Sequence, residues 1–166
     1  MDNKVKEYVL LSLGSNIGNR KKFIDDACQL LEIRNILSNI QISSYYETEP
    51  FGIKEQDAFI NLALSGITDL SVFELMSACK QIESDLGRKK REHWHEREID
   101  IDILIYGNHI ISSEKVITPH PFLAKRKFVL IPAAEIAAKA VDPRTCKTIS
   151  ELLQECEDES EVYKLN

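Results

Sequence analysis

The run Glu98-Ile99-Asp100-Ile101-Asp102-Ile103-Leu104-Ile105 alternates acidic and apolar residues, and this period of two constrains the chain more than any other segment. Successive side chains of a β-strand point to opposite faces, so the alternation predicts a strand. Ile99, Ile101, Ile103 and Ile105 would bury one face in a core. Asp100 and Asp102 would stand together on the other, roughly 6.5–7 Å apart at Cα. Two carboxylates side by side repel unless a cation lies between them or water screens them. A few hard oxygen ligands suit Mg²⁺ that also carries substrate phosphates. On the pair alone, a half-exposed strand with a solvated acidic face is the simpler account. The neighbouring residues shift the balance.

Immediately upstream, residues 88–97 carry five Arg/Lys against two Glu, a local charge of +3 in a chain whose net charge is −6. A basic loop running into an Asp-x-Asp strand is what a polyphosphate–metal complex needs. Carboxylates hold the cation, while guanidinium and ammonium groups neutralise phosphate oxygens. A solvated charged loop or a nucleic-acid patch are the competing accounts. The sequence pI of about 5.3 argues against nucleic acid, which usually demands a broad basic footprint. Charge confined to one loop fits a small anionic ligand better.

At 166 residues, 43% hydrophobic and 29% charged, the chain is expected to form a single domain spanning 1–166, with an acidic C-terminal tail from about 155. The stretch Met1–Glu7 has no apolar signal-peptide core, and no segment is long enough to span a bilayer. Residence in the cytoplasm is the expectation, without a membrane or nucleic-acid partner. Cys28, Cys79, Cys146 and Cys156 are widely spaced without a Cys-x-x-Cys, which disfavours a zinc site or disulfide framework.

Patterning along the chain predicts a strand over Tyr8–Leu13, a helix over Lys21–Asn35, a strand over Ile40–Tyr46 and a strand over Phe59–Ile67 paired with it. Ser71 and Glu74 form a capping box opening a helix to about Leu86. The acidic strand follows, then a Gly107-Asn108 turn and a short strand at Ile110–Ile111. This βαββαβ order predicts an α+β, ferredoxin-like core. C-terminal helices are added near Ile131–Ala140 and from Thr148, where Glu151 completes another capping box.

With these pieces placed, the chain resembles the 6-hydroxymethyl-7,8-dihydropterin pyrophosphokinases of folate biosynthesis. The resemblance runs through Leu13-Gly14-Ser15-Asn16, Tyr46–Gly52, Gln56–Asn61, Gly87-Arg88, Arg97–Leu104, Pro119-His120-Pro121, Arg126–Pro132 and Glu135–Ala137. It implies transfer of the terminal pyrophosphoryl unit of ATP to the pterin hydroxymethyl group, with release of AMP. By matching positions, Asp100 and Asp102 would hold two Mg²⁺ ions, and Arg88 and Arg97 would act as catalytic arginines at the transferring group. Lys90, Arg91, Arg97, His120 and Arg126 would bind ATP. Phe59 and Phe128 would sandwich the pterin and Asn61 would read its edge, with Thr48, Phe51 and Trp94 lining the same pocket. The expected partners are ATP and a reduced pterin, acted on by a monomer.

The chain departs from the family's pattern between Trp94 and Arg97, where His95-Glu96 replaces a common Gly-Pro pair. The basic loop is therefore expected to be mobile without ligand. Two other readings compete. One is a metal-dependent nucleotide-sugar transferase using Asp-x-Asp, which the short chain leaves little room for. The other is a non-catalytic ferredoxin-like regulatory or RNA-binding module, which the net charge of −6 disfavours.

Overall fold

A computed structural model describes residues 5–50, 55–92 and 95–166 of the chain. Strand β1 (Glu7–Ser15) leads through Asn19, whose side chain accepts the Lys22 N–H, into helix α1 (Arg20–Ile33). That helix ends because Asn35 turns left-handed at φ 54°, a conformation Asn tolerates. Strands β2 (Ser38–Ile42) and β3 (Tyr46–Thr48) both pair with β4 (Phe59–Thr68). The Ser71/Glu74 capping box opens α2 (Val72–Asp85), and β5 (Asp100–Tyr106) follows the basic loop. The main sheet is antiparallel in the order β3-β4-β1-β5, with β2 beside β4. This is the ferredoxin-like βαββαβ arrangement expected from the patterning.

Each face of the sheet is covered differently. Val9, Leu11, Leu13, Ile60, Leu62, Leu64, Ile99, Ile101 and Ile103 pack against Ile24, Leu31, Leu75 and Ile82 of α1 and α2. The opposite face contributes Leu10, Ala63, Leu104 and Ile105 to a second core with α3 (Lys127–Ala137) and α4 (Ile149–Glu155). Short hairpins β6 (Ile111–Ser112) with β7 (Ile117–Thr118), and β8 (Val141–Asp142) with β9 (Lys147–Thr148), join these parts. Among the described residues, no helix is long and apolar enough to cross a membrane.

Four expectations are corrected. The strand expected over Ile40–Tyr46 is two strands, because the Ser43 hydroxyl takes the Ala63 N–H at 2.9 Å where a ladder would continue. Ile105 does not share a face with Ile99, Ile101 and Ile103. Leu10 pairs with Ile105 but Leu11 with Ile103, so Leu104 is an extra residue that reverses the alternation. Helix α3 starts at Lys127 and holds Pro132 internally, where the missing N–H leaves the Phe128 carbonyl without its usual partner. Finally, the acidic tail returns to the sheet: Val162–Lys164 form β10, paired with β3.

The bulge implies that Leu104 is as deeply packed as Ile103, at 1% and 2% exposure. Leu104→Ala and Ile103→Ala should each cost about 2–4 kcal/mol in urea unfolding. A loss under about 0.5 kcal/mol for Leu104→Ala, the value typical of surface sites, would contradict the bulged register.

Candidate active site

Strand register determines which side chains can meet. Across the sheet, Tyr46 lies opposite Asn61, Asn61 opposite Gly14, and Gly14 opposite Asp100. The next row on the same face is Ala63, Ser12 and Asp102, and Thr48 lies opposite Phe59. Asp100, Asp102, Asn61, Thr48 and Phe59 therefore share one face, beyond the apolar half that α3 covers. Gly14 forms the floor between the acidic pair and Asn61. A Cβ there would come within 2.5 Å of Asn61 Oδ1, so only glycine leaves that floor clear.

Charges converge on Asp100. Arg88 Nη1 donates to its Oδ1 at 2.8 Å and Arg97 Nη1 to its Oδ2 at 2.6 Å. Burial alone would raise the Asp100 carboxyl, but Arg97, Arg88 and Lys80 outweigh it and hold the group below the usual carboxylate range. Asp102 receives no hydrogen bond among the described residues. Burial, followed by the neighbouring Asp100 charge, pushes its carboxyl up to about 7. The two carboxylates thus differ because Arg88 and Arg97 hydrogen-bond to Asp100, while Asp102 feels Lys80 and Arg97 only at a distance.

Behind these residues stand three supports that the motif reading gave no role. Glu83, 3% exposed, takes Arg88 Nη1 at 2.6 Å, Lys80 Nζ at 3.1 Å and the Ile101 N–H at 2.7 Å, tying Arg88 to the start of β5. A sequence signal existed: Glu83 falls within the apolar helical stripe Leu75, Cys79, Ile82 and Leu86. Glu98 holds Arg91 through two bonds of 2.9 and 2.7 Å. That hydrogen-bonded pair outweighs burial and pulls the Glu98 carboxyl down to about 2. Asn16 clamps the backbone of Arg97, donating its N–H to the Arg97 carbonyl at 3.1 Å and accepting the Arg97 N–H at 2.7 Å. Both ends of the basic loop are therefore tied down.

The remaining predicted residues divide by place. Lys90 and Arg91 line a cleft of about 490 Å³ between α2 and the loop, together with Lys80, Arg88 and Arg97. His120 is held by its N–H to the Leu104 carbonyl, and burial, then Arg126, lowers its imidazole to about 4, so it is neutral at pH 7. Arg126 lies 4.5 Å from the Phe122 ring centroid and 5.8 Å from that of Phe128, near enough to Asp102 and Asp100 to feel their charge. Asn61 donates its amide to Thr48 Oγ1 at 3.1 Å, and both are 4% exposed. Phe51 and Trp94 lie outside the described residues.

No group of three or more His, Cys, Asp or Glu suited to a metal occurs among the described residues. The chain offers two carboxylates on one face, a donor set that fits Mg²⁺ only when phosphate oxygens and water complete its shell. The chemistry legible here is phosphoryl transfer.

Comparison with known proteins agrees. Residues 10–138 match the model of the 7,8-dihydro-6-hydroxymethylpterin-pyrophosphokinase (HPPK) family. The 2-amino-4-hydroxy-6-hydroxymethyldihydropteridine pyrophosphokinase of Bacillus subtilis is 41% identical over 126 residues, covering 76% of this chain and 75% of the relative. The enzyme of the same name from Aquifex aeolicus is 40% identical over 147 residues, covering 89% and 91%. A crystal structure of Plasmodium falciparum HPPK-DHPS with pteroate superposes with a TM-score of 0.72 at 15% identity, which speaks to the fold alone. It covers 93% of this chain, which spans only 44% of that longer one. The chain belongs to the HPPK family.

The unequal carboxylates carry a pH signature. Asp102 has a folded-state value above its unfolded one, so the chain without metal loses stability as pH rises from about 4 to about 7. Asp102→Asn removes that loss. Its melting temperature should match the parent near pH 4 and exceed it near pH 7.5 by a few degrees, about 1–2 kcal/mol after solvent screening. Thermal melts in EDTA across that range check it; a constant difference would contradict the assignment.

Proposed function

We propose that this chain catalyses the family's reaction: it transfers pyrophosphate from ATP to the hydroxymethyl group of 6-hydroxymethyl-7,8-dihydropterin, giving the pterin diphosphate and AMP, as a monomer. The observation that carries this reading is the single sheet row running from Asp100 through Gly14 to Asn61. It sets the Asp100 carboxylate and the Asn61 amide on one surface, roughly two strand spacings or 10 Å apart, which supports their roles in holding a cation and reading the pterin.

In the reaction, the pterin hydroxyl oxygen forms a bond to the β-phosphorus. The bond from that phosphorus to the oxygen bridging the α-phosphate breaks, AMP leaves, and the hydroxyl proton is released. Asp100 and Asp102 would hold Mg²⁺, two ions on this reading, which polarise phosphate oxygens and neutralise their charge. Arg88 and Arg97 act through planar forks suited to phosphate oxygens as charge shifts toward the leaving group. Arg88 and Arg97 now bond to Asp100 and would take phosphate oxygens as partners in its place once that carboxylate served a cation. Lys90, Arg91, His120 and Arg126 bind the nucleotide, with neutral His120, whose Nδ1 accepts the Phe122 N–H, left to donate from Nε2 without adding charge.

The pterin enters between Phe59 and Phe128, with Thr48, Phe51 and Trp94 lining the slot. Asn61 has one amide hydrogen committed to Thr48, which fixes its plane and leaves Oδ1 and the second hydrogen for the pterin edge. Moving Arg126 toward phosphate would free the Phe128 ring for stacking.

The direct test is AMP release, followed by chromatography, with ATP, Mg²⁺ and the reduced pterin. AMP should appear only when all three are present; AMP formation without pterin would overturn the reading. Arg97→Ala should lower kcat and kcat/KM together by about 10²–10³-fold, the loss typical of a transition-state donor. An effect confined to the KM for ATP would assign Arg97 to ground-state binding instead.

Asn61→Ala should weaken pterin binding by about 10–100-fold, since the ligand's polar edge is left unpaired in a buried slot. ATP-analogue affinity, measured by calorimetry without pterin, should stay within about twofold on the same scale. Equal losses for both ligands would make Asn61 a support of the sheet rather than a reader.

A further inference from the structure

Helix α3 begins without a cap of its own. Arg126 occupies the N-cap position and supplies no side-chain hydrogen bond to the first turn. The acceptor comes instead from 31 residues downstream, where Asp158 Oδ2 takes the Lys127 N–H at 2.8 Å. The other oxygen of that carboxylate is held by the Ser160 N–H at 2.9 Å and hydroxyl at 2.6 Å, so the group is oriented before it reaches the helix. A carboxylate at this end also meets the positive pole of the helix dipole.

The same segment grips a second element. Val162 pairs with Thr48 and Lys164 with Tyr46, and the Leu165 N–H donates to the Tyr45 carbonyl at 2.9 Å. Leu165 packs against the larger core, which anchors the end of the segment. One stretch of chain therefore touches the helix turn that carries Phe128 and the strand whose Thr48 fixes the Asn61 amide.

We propose that residues 156–166 form a strap that sets the pterin subsite, with Asp158 as a positioning residue for Phe128. This rests on the assignment of Phe128, Thr48 and Asn61 to the pterin. Phe128 lies in the first turn of α3, where the Val129 N–H bonds the Arg126 carbonyl but the Lys127 N–H is held by Asp158 from outside the helix, and a turn that loses its cap frays. Most of the nucleotide side is tied elsewhere. Asp100 and Asp102 stand on β5, three strands away from β3, and Arg126, though next to Lys127 and 5.8 Å from the Phe128 ring, has its guanidinium closer to Phe122, at 4.5 Å. Release of the strap consequently loosens the pterin walls and leaves the ATP side in place.

The test compares Asp158→Ala with Asp158→Asn, which keeps an acceptor oxygen, in the full chain with Mg²⁺ and a non-hydrolysable ATP analogue. Asp158→Ala should weaken pterin binding about three- to tenfold, and Asp158→Asn should recover most of it. Affinity for the analogue should stay within about twofold in both. Introduced into Phe128→Ala, Asp158→Ala should cause no further loss of pterin affinity, because its effect passes through that ring. Parental pterin affinity in Asp158→Ala, equal losses for pterin and analogue, or additive losses in the double variant would each overturn the strap while leaving the pocket standing. Parental pterin affinity in Phe128→Ala would overturn the pocket assignment itself, and the strap with it.

Discussion

Asp100 lies in a chain of alternating charge, Lys80 to Glu83 to Arg88 to Asp100 to Arg97, in which every link is 3.1 Å or shorter. Glu83, 3% exposed, is surrounded in that chain by Lys80, Arg88 and the Ile101 N–H. Taking a charge out of water costs several kcal/mol, and only close opposite charges with hydrogen bonds offset it. The chain ends at Arg97, and Asp102 lies one strand step beyond its reach. The resulting imbalance between two carboxylates on one face follows from Arg88 and Arg97 both directing their hydrogen bonds at Asp100. Asp100 and Asp102 would hold a divalent cation that offsets their repulsion, and Arg88 and Arg97 would then exchange a carboxylate partner for phosphate.

That exchange works only if the sheet holds its residues in register. The β1–β4 and β1–β5 ladders align Asn61, Gly14 and Asp100 in one row, and Asn16, directly beyond β1, fixes the Arg97 backbone. The bulge at Leu104 lies between the polar and apolar halves of β5. Below it, alternate residues carry the acidic pair; above it, Leu104 and Ile105 both join the α3 core. One extra residue thus lets a single strand serve an open site at one end and a packed helix at the other.

Much of this was readable from the residues. Period-two alternation located β5, and Ser71/Glu74 and Thr148/Glu151 both form the reciprocal capping boxes their spacing predicts. What escaped was non-local. The Leu104 bulge depends on how β1 pairs with β5, which alternation within β5 does not encode. The split at Ser43 depends on a hydroxyl competing for a neighbouring strand's N–H. The acidic composition of Glu155–Glu161 suggested a solvated tail, but the segment contains the Asp158 cap and leads into β10, whose partner strand lies more than a hundred residues earlier. Glu83 was visible as an acidic residue on an apolar stripe, yet only the fold showed that Arg88 and the Ile101 N–H lie against it.

The two ends of the sheet are covered differently. Toward the α3 and α4 end, Leu10, Leu104 and Ile105 pack against apolar helix residues. Toward the other end, among the described residues, Asp102 receives no hydrogen bond and the fully buried Ser15 hydroxyl, next to Asn16, has no hydrogen-bond partner. Buried polar groups left in this state each cost about 1–3 kcal/mol. Local misfits of this kind are expected where a surface is shaped for a ligand rather than for the fold. The strained end is also the one braced from outside, by the Glu83 and Glu98 ion pairs on one flank and by the Asp158 cap on the other. Because the bracing groups are charged and paired rather than apolar, they hold direction more than they add stability, and direction is what an in-line transfer between two bound substrates requires.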